Sequence, residues 1–178
     1  MQISLSTPRL ALRPLVPADL DPLVSLLAEP GVRRFLCDDR VLPRETVADI
    51  LGRALAAGAS GLGLWVMNLA NAPWIGVAGV QPVADEALAQ RAAVEGYPEI
   101  VVARREAAWG QGFAAEALTA VLAHGFAQLR LPRIVAFADE PNVRSHALLT
   151  RVGFRHVGAV PGLRNRLLTY EIEPQRSA

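Results

Sequence analysis

The run Trp109-Gly110-Gln111-Gly112-Phe113-Ala114 stands between a short β-branched segment and the most regular helical stripe of the chain. A strand, a glycine-bearing turn and a helix start place free backbone N–H groups where an anion is held. Glycine at 110 and 112 lets the backbone turn tightly and come close to a ligand, and Ala114 keeps the next position small. The helix dipole adds roughly half a positive charge at that end, so a diphosphate can be held there without lysines. A Walker loop is excluded, because no Gly-Lys-Ser/Thr follows. A dinucleotide fingerprint is excluded too, since its third glycine position is Ala115 and no acidic residue ends a following strand. Taken alone, the segment reads equally well as a structural turn. Further on, Asn142-Val143-Arg144-Ser145-His146 opens another helix, with Asn142, Ser145 and Leu149 on one face. By themselves these are an N-cap and a solvated serine.

Other reactive residue types are sparse. His146 adjoins Ser145 but points about 100° away on a helix, so the two do not form a nucleophile pair. His124 shares a helix face with Glu116 and Gln128 and is expected to be solvated. Cys37 is the one cysteine, expected as a buried thiol, and no Cys/His cluster has zinc spacing, so no metal site is expected. With 18 Lys+Arg against 17 Asp+Glu, the charge is +1, which argues against a nucleic-acid partner. The uncharged stretch between Arg53 and Asp85 is broken by glycines, Asn68, Asn71 and Pro73, and reads as two buried strands rather than a membrane span. Met1-Gln2-Ile3-Ser4 lacks a basic region followed by an apolar run, so a cytoplasmic protein is expected.

These residues need a scaffold, and the chain supplies one. Its 178 residues are 52% apolar, enough for one domain over 1–178 with a core that requires neither disulfide nor metal. A half-exposed strand is predicted over Thr7–Leu15. Asp19 is predicted to cap a helix through Leu27, stopped by Pro30-Gly31, and a second helix runs from about Pro43 to Ala57. Strands follow at Leu62–Leu69 and Trp74–Val83, with Trp65 and Trp74 expected in the core or walling a cleft. Ala84–Gly96 is a polar, alanine-rich loop. Pro98–Ala103 is a strand, Phe113–Leu129 a helix, Arg133–Ala138 a strand and Asn142–Val152 a helix. Phe154–Val157 and Leu167–Ile172 finish as strands. The order β-α-α-β-β-β-α-β-α-β-β predicts an α/β (α+β) fold, a mixed sheet with helices on both faces.

Together, the glycine turn and the Asn142 segment resemble the GNAT superfamily of N-acetyltransferases, which use acetyl-coenzyme A. The family loop Gln/Arg-x-x-Gly-x-Gly/Ala is matched by residues 109–114, with Trp109 in place of Gln/Arg. The second element, Asn-x-x-Ser in a helix that ends Gly-Phe, is matched by Asn142, Ser145, Gly153 and Phe154. Thr7-Pro8-Arg9-Leu10-Ala11-Leu12-Arg13 and Glu116 resemble the branch that contains the ribosomal-protein-alanine N-acetyltransferases. In the final strand region, Asn165 stands where an acidic residue is sought.

The resemblance implies a mostly antiparallel sheet in which two parallel strands, here Pro98–Ala103 and Arg133–Ala138, splay apart around a pantetheine arm. It implies backbone contacts to that arm around Val102 and Arg104. It implies diphosphate contacts from Trp109, Gly110, Gln111, Gly112, Phe113, Ala114 and Ala115, with Asn142 on the pantetheine side. Arg105, Arg144 or Arg151 would meet the 3′-phosphate. Glu99 matches the branch's acidic position and would take the proton of an attacking amine through a water; Ser145 would face the departing sulfur. The implied protein takes acetyl-CoA as co-substrate and an amine acceptor, without metal, nucleic acid or membrane, as a monomer or homodimer. The acceptor stays open between a protein N-terminal amine, an amino acid, a polyamine and an aminoglycoside. The rival readings are a non-catalytic acyl-CoA-binding sensor and a structural interaction module.

Overall fold

Between Gly63 and Asn68 the side chains of Leu64 and Val66 face one way and those of Trp65 and Met67 the other, and all four are buried. Such a strand must be covered on both faces. The computed structural model describes residues 2–175 and provides that cover. Its strands are β1 (Leu5–Ser6), β2 (Ala11–Pro14), β3 (Gly63–Asn68), β4 (Gly76–Pro82), β5 (Pro98–Arg104), β6 (Ile134–Asp139), β7 (Arg155–Pro161) and β8 (Arg166–Ile172). Its α-helices are α1 (Leu20–Ala28), α2 (Pro30–Leu36), α3 (Arg44–Ala57), α4 (Glu86–Arg91), α5 (Phe113–Ala127) and α6 (Val143–Arg151). The strands form one sheet in the order β1-β2-β3-β4-β5-β6-β8-β7, and every neighbouring pair is antiparallel except β5 with β6. Helix α5 is the crossover that makes that pair parallel.

Helix α5 lays Phe113, Ala117, Leu118, Val121 and Leu122 on one face of the sheet, against Trp65, Val80, Ile100 and Ile134. Leu149 of α6 and Phe154 join the same cluster. On the opposite face Leu23, Leu26, Val47 and Leu51 of α1 and α3 meet Leu64, Val66, Val77 and Ala103. A third, smaller cluster seats Ala89 and Val94 on Val135, with Tyr97 and Phe137 at its edge. That cluster roofs the sheet beside the N-terminal end of β5.

Several expectations are corrected. Pro30-Gly31 ends α1 but does not end helix, because Pro30 occupies the first position of α2, where its missing N–H costs nothing. Ala84–Gly96 is not loop throughout: Asp85 accepts a hydrogen bond from the Leu88 amide and caps α4. Asp19 holds the N-cap position of α1 as expected, but its side chain makes no cap bond there; it closes a 3-10 turn over Pro17–Asp19, and its carboxylate receives Arg13, the Val16 amide and the Trp74 indole. His124 is buried rather than solvated, edge-on to Trp65 with its Nε2 donating to the Gly61 carbonyl. Strand β4 begins at Gly76 and not at Trp74, whose φ of 58° keeps it out of the ladder. Trp74 stands half-buried beside the core of α1 and α3, while Trp65 is fully buried, and Cys37 is buried as expected.

The position of α5 decides where its first turn points, and Leu118 is fully buried beneath it. We expect Leu118→Ala to lower unfolding stability by about 2–5 kcal/mol, read as a shifted urea midpoint at constant slope.

Candidate functional site

Strands β5 and β6 share a single register pair, Glu99 with Val135, and then part. The Arg105 amide donates to the Ile75 carbonyl, and β4 pairs Gly76 with Arg104. Antiparallel alternation therefore spends the backbone groups of Glu99, Val101 and Ala103 on β4 and turns those of Ile100, Val102 and Arg104 toward β6. On the other side, the Glu140 amide donates to the Arg166 carbonyl, so the groups of Val135, Phe137 and Asp139 face β5. At the open end two carbonyls are already satisfied: Arg104 O accepts the Trp109 Nε1–H at 2.9 Å, and Asp139 O accepts the Asn142 amide at 2.8 Å. What stays open to the gap is the backbone of Val102 and of Phe137, with the N–H groups of Arg104 and Asp139, strand edges with no strand opposite. An extended chain of amides, such as a pantetheine arm, can fill that place.

The glycine turn lies where the gap opens. Gly110 and Gly112 have φ of 76° and 81°, and Gly112 is the N-cap of α5 without a side-chain cap. Both conformations are left-handed, which explains glycine at these two positions. Among the described residues, no protein acceptor receives the amides of Gly110, Gln111, Gly112, Phe113, Ala114 and Ala115, whereas the Glu116 amide is back-bonded to Gly112 O. Six consecutive amides without partners at the start of a four-turn helix form a strong anion-binding surface.

A residue group that sequence reasoning left without a task braces this turn. Glu116 accepts from the Thr7 hydroxyl, from the Arg9 amide at 2.9 Å and from Arg9 Nε at 2.6 Å. Arg9 also donates to Gln111 O at 3.0 Å and lies 4.6 Å over the Phe113 ring. Burial works against ionising Glu116, but these hydrogen bonds and the Arg9 charge outweigh it and hold its carboxyl below the usual range. The N-terminal segment thus clamps the outer side of the turn. In the sequence these residues show only as a family likeness, because a contact across 107 positions leaves no local signal.

Glu99 stands at the fork where the strands part. Alternation along β5 places its side chain on the face of Val101 and Ala103, away from α5. It is half-buried, and among the described residues no hydrogen bond or ion pair holds its carboxyl. Burial pushes it up to about 7. A carboxyl with that value releases and takes protons near neutral pH.

The first turn of α6 is fixed by Asn142, whose Oδ1 accepts the Ser145 amide at 3.3 Å. The Ser145 hydroxyl is half-buried and has no partner among the described residues. His146 turns the other way: its Nε2 donates to Glu140 O at 3.0 Å, and its Nδ1 accepts the Tyr170 hydroxyl at 2.9 Å. Of the three arginines expected near a 3′-phosphate, Arg105 is committed to Glu29 and to the Trp74 carbonyl. Arg151 lies in the last turn of α6, away from the glycine turn. Arg144 lies 4.9 Å over the Trp109 ring.

Two loops meet near Asp139, at the C-terminal end of β6. Arg164 of the β7–β8 tip pairs with Asp39 at 3.6 Å, and Asp38 and Asp39 both adopt left-handed backbone, with φ of 50° and 61°. Burial raises the carboxyl of Asp139, and Asp38 raises it further against the opposing pull of Asn165 and Arg164. Among the described residues, no group of three or more His, Cys, Asp or Glu side chains is arranged to hold a metal ion, and no helix is long and apolar enough to cross a membrane.

Residues 9–155 match the acetyltransferase (GNAT) domain family. A GNAT-family acetyltransferase from Bordetella pertussis is 27% identical, with a TM-score of 0.80 over 96% of this chain and 99% of its own. An acetyltransferase from Agrobacterium tumefaciens is 24% identical, with a TM-score of 0.81 over 98% of this chain and 96% of its own. RimL, a ribosomal L7/L12 α-N-protein acetyltransferase solved with coenzyme A, is 18% identical, with a TM-score of 0.76 over 96% and 98%.

Two outcomes test the geometry. Between roughly pH 4.5 and pH 7, folded Glu99 keeps a proton that the unfolded chain has released, so Glu99 costs stability as pH rises through that window. We expect Glu99→Gln to raise Tm relative to the parent more at pH 8 than at pH 5, measured by calorimetry. We expect Glu116→Gln, which loosens the clamp, to weaken coenzyme A binding about two- to five-fold in isothermal titration.

Proposed function

The chain belongs to the GNAT acetyltransferase family, as an N-acetyltransferase, and on that premise we propose that it transfers the acetyl group of acetyl-CoA to an α-amine by direct attack in a ternary complex. The observation that carries the reading is the fork at Glu99 and Val135, with an unpaired strand edge on one side and an unengaged carboxyl on the other. Acetyl-CoA, when bound, supplies the thioester carbonyl. The chain's own residues do the rest. Amides 110–115 hold the diphosphate, the backbone of Val102 orients the arm with Arg104 beside it, and Asn142 adds a side-chain amide from α6. Trp109 shapes the mouth of the loop rather than donating to it, since its Nε1–H is already given to Arg104 O.

Glu99 removes the proton of the attacking amine, directly or through one water. A base near pKa 7 matches an α-amine, of ordinary pKa about 8, far better than a lysine amine at about 10.4. That match favours a polypeptide N-terminus or an amino acid over a lysine side chain, and RimL is described as acting on such a protein α-amine. The Ser145 hydroxyl, free to turn, donates to the departing sulfur.

Thiol release, followed with acetyl-CoA and a panel of amines, tests this. We expect a peptide with a free α-amine to outperform its N-blocked, lysine-bearing counterpart, with kcat/KM rising through about pH 7 as Glu99 ionises. Glu99→Gln should lower kcat about 100-fold or more and Ser145→Ala about 10–100-fold, each with coenzyme A affinity retained. Equal turnover in the Glu99→Gln variant excludes Glu99 as the base.

A further inference from the structure

Glu99 must carry a charge in a place that resists one, yet among the described residues nothing bonds its carboxyl. The side chain set directly opposite it has no task so far. Strand β4 pairs with β5 in an unbroken antiparallel register from Gly76 with Arg104 to Pro82 with Pro98, and Gln81 is the partner of Glu99. Residues directly opposite each other present their side chains on one face, with Cβ atoms about 4.5–5.5 Å apart. Alternation along β4 agrees. Ala78 and Val80 join the α5 cluster and Val77 the opposite one, so Gln81 falls on the face of Val77, Val101 and Ala103.

The surroundings of Glu99 otherwise offer it little. Its register partner on β6 is Val135, a hydrocarbon. Two residues back, Tyr97 lies under Arg133, whose guanidinium is shared between Glu171 and Glu173. Glu171 is held by Arg133 and by Arg155. The α4 segment brings Ala89 and Val94 onto Val135 and leaves Glu86, Arg91 and Glu95 exposed. None of these charges sets the proton affinity of Glu99, which burial raises. Gln81 is different. It is half-buried, and no hydrogen bond or ion pair holds its side chain among the described residues. Its backbone is fixed by the β4–β5 ladder, which Pro82 and Pro98 extend one pair further. Two flexible side chains facing each other at that spacing bring an amide onto a carboxylate by rotamer changes alone. Such bonds commonly tighten only once substrate is present.

We propose that Gln81 is the positioning residue of Glu99: its side-chain amide donates to one oxygen of the ionised carboxylate and leaves the other oxygen aimed at the amine. The amine proton passes to that free oxygen, while Gln81 keeps hold of the first. The proposal rests on the reading of Glu99 as the base and explains how a carboxyl among hydrocarbon neighbours carries its charge in one fixed orientation. A donor supplied to the charged form favours it, so Gln81 counters part of the burial around Glu99.

The pH dependence of kcat/KM in the purified full chain, followed by thiol release from acetyl-CoA with an α-amine peptide, tests it. Gln81→Met keeps the length of the side chain and removes the amide; position 81 is half-buried, and circular dichroism checks that the variant folds. We expect the midpoint of the rise in kcat/KM to move up by about one pH unit, with the plateau at high pH within about three-fold of the parent and coenzyme A affinity unchanged. Gln81→Glu, which sets a like charge opposite Glu99, should move the midpoint at least as far. A second readout needs no turnover. Without its donor, folded Glu99 holds its proton to higher pH while the unfolded chain is unchanged, so Gln81→Met should lose more Tm than the parent between pH 5 and pH 8. In a Glu99→Gln background, Gln81→Met should change the residual rate less than about two-fold. A midpoint that stays where the parent has it, whether the rate is unaltered or lowered evenly at every pH, overturns the proposal and leaves Glu99 as the base. Full turnover by Glu99→Gln overturns instead the reading on which the proposal rests.

Discussion

Parallel neighbours in a sheet ordinarily exchange a continuous series of hydrogen bonds, yet β5 and β6 hold together at Glu99 and Val135 and nowhere beyond. The rest of the molecule is arranged around that single tie. Buried backbone groups demand partners, and a gap between two strand edges persists only because something else can satisfy them. At the open end, Arg104 O and Asp139 O are met by the chain itself, which leaves Val102, Phe137 and the N–H groups of Arg104 and Asp139 along the exposed edge. On the opposite side the segment around α4 is packed over Val135 and Phe137. Glu99 stands between these two regimes, surrounded by protein yet still reached by water, and its elevated proton affinity follows from that position.

The glycine turn and the fork depend on each other through α5. The helix is anchored by a stripe of buried residues whose position is set by Trp65, Ile100 and Ile134 of the sheet. Its N-terminal amides project toward the end of the gap because the crossover from β5 to β6 leaves α5 antiparallel to both strands. The Thr7–Arg9–Glu116 clamp fixes the outer side of the turn, and the Trp109 hydrogen bond to Arg104 fixes the inner side. Backbone donors held from two sides need little reorganisation when an anion arrives.

Much of this was legible in the amino-acid order, and the omissions share a cause. Helices α5 and α6 and strands β3 and β4 declared themselves through periodicity, and the glycine turn through its place before a helix. The α2 helix was missed because proline both stops one helix and starts the next, and Pro30 does both. Helix α4 was overlooked although Asp85, ahead of Leu88, carried a legible capping signal. His124 was misjudged because a helical wheel ranks its neighbours along one helix and cannot show that Trp65 and Gly61 cover it from elsewhere. Glu99 was singled out by likeness to a family. The physical reason for its place, the parting of two strands, is a long-range fact that no window of sequence contains. The same holds for Arg9 with Glu116.

The segment after β5 is latched to the junction of α1 and α2. Glu29 receives both the Glu106 amide and the Arg105 guanidinium, Glu106 receives the Gly31 amide, and the far edge of the Trp109 indole rests on Gly31. Just after α2 the chain forms the turn at Asp38 and Asp39 that leans on the β7–β8 tip. The glycine turn and the Asp38–Asp39 turn are therefore tied to one junction, at Glu29 and Gly31. Anyone transplanting a foreign loop between α1 and α3 to retarget the enzyme would have to carry Glu29 and Gly31 along with it. A graft that ignored them would unseat Trp109, and with it the start of the glycine turn, as collateral damage.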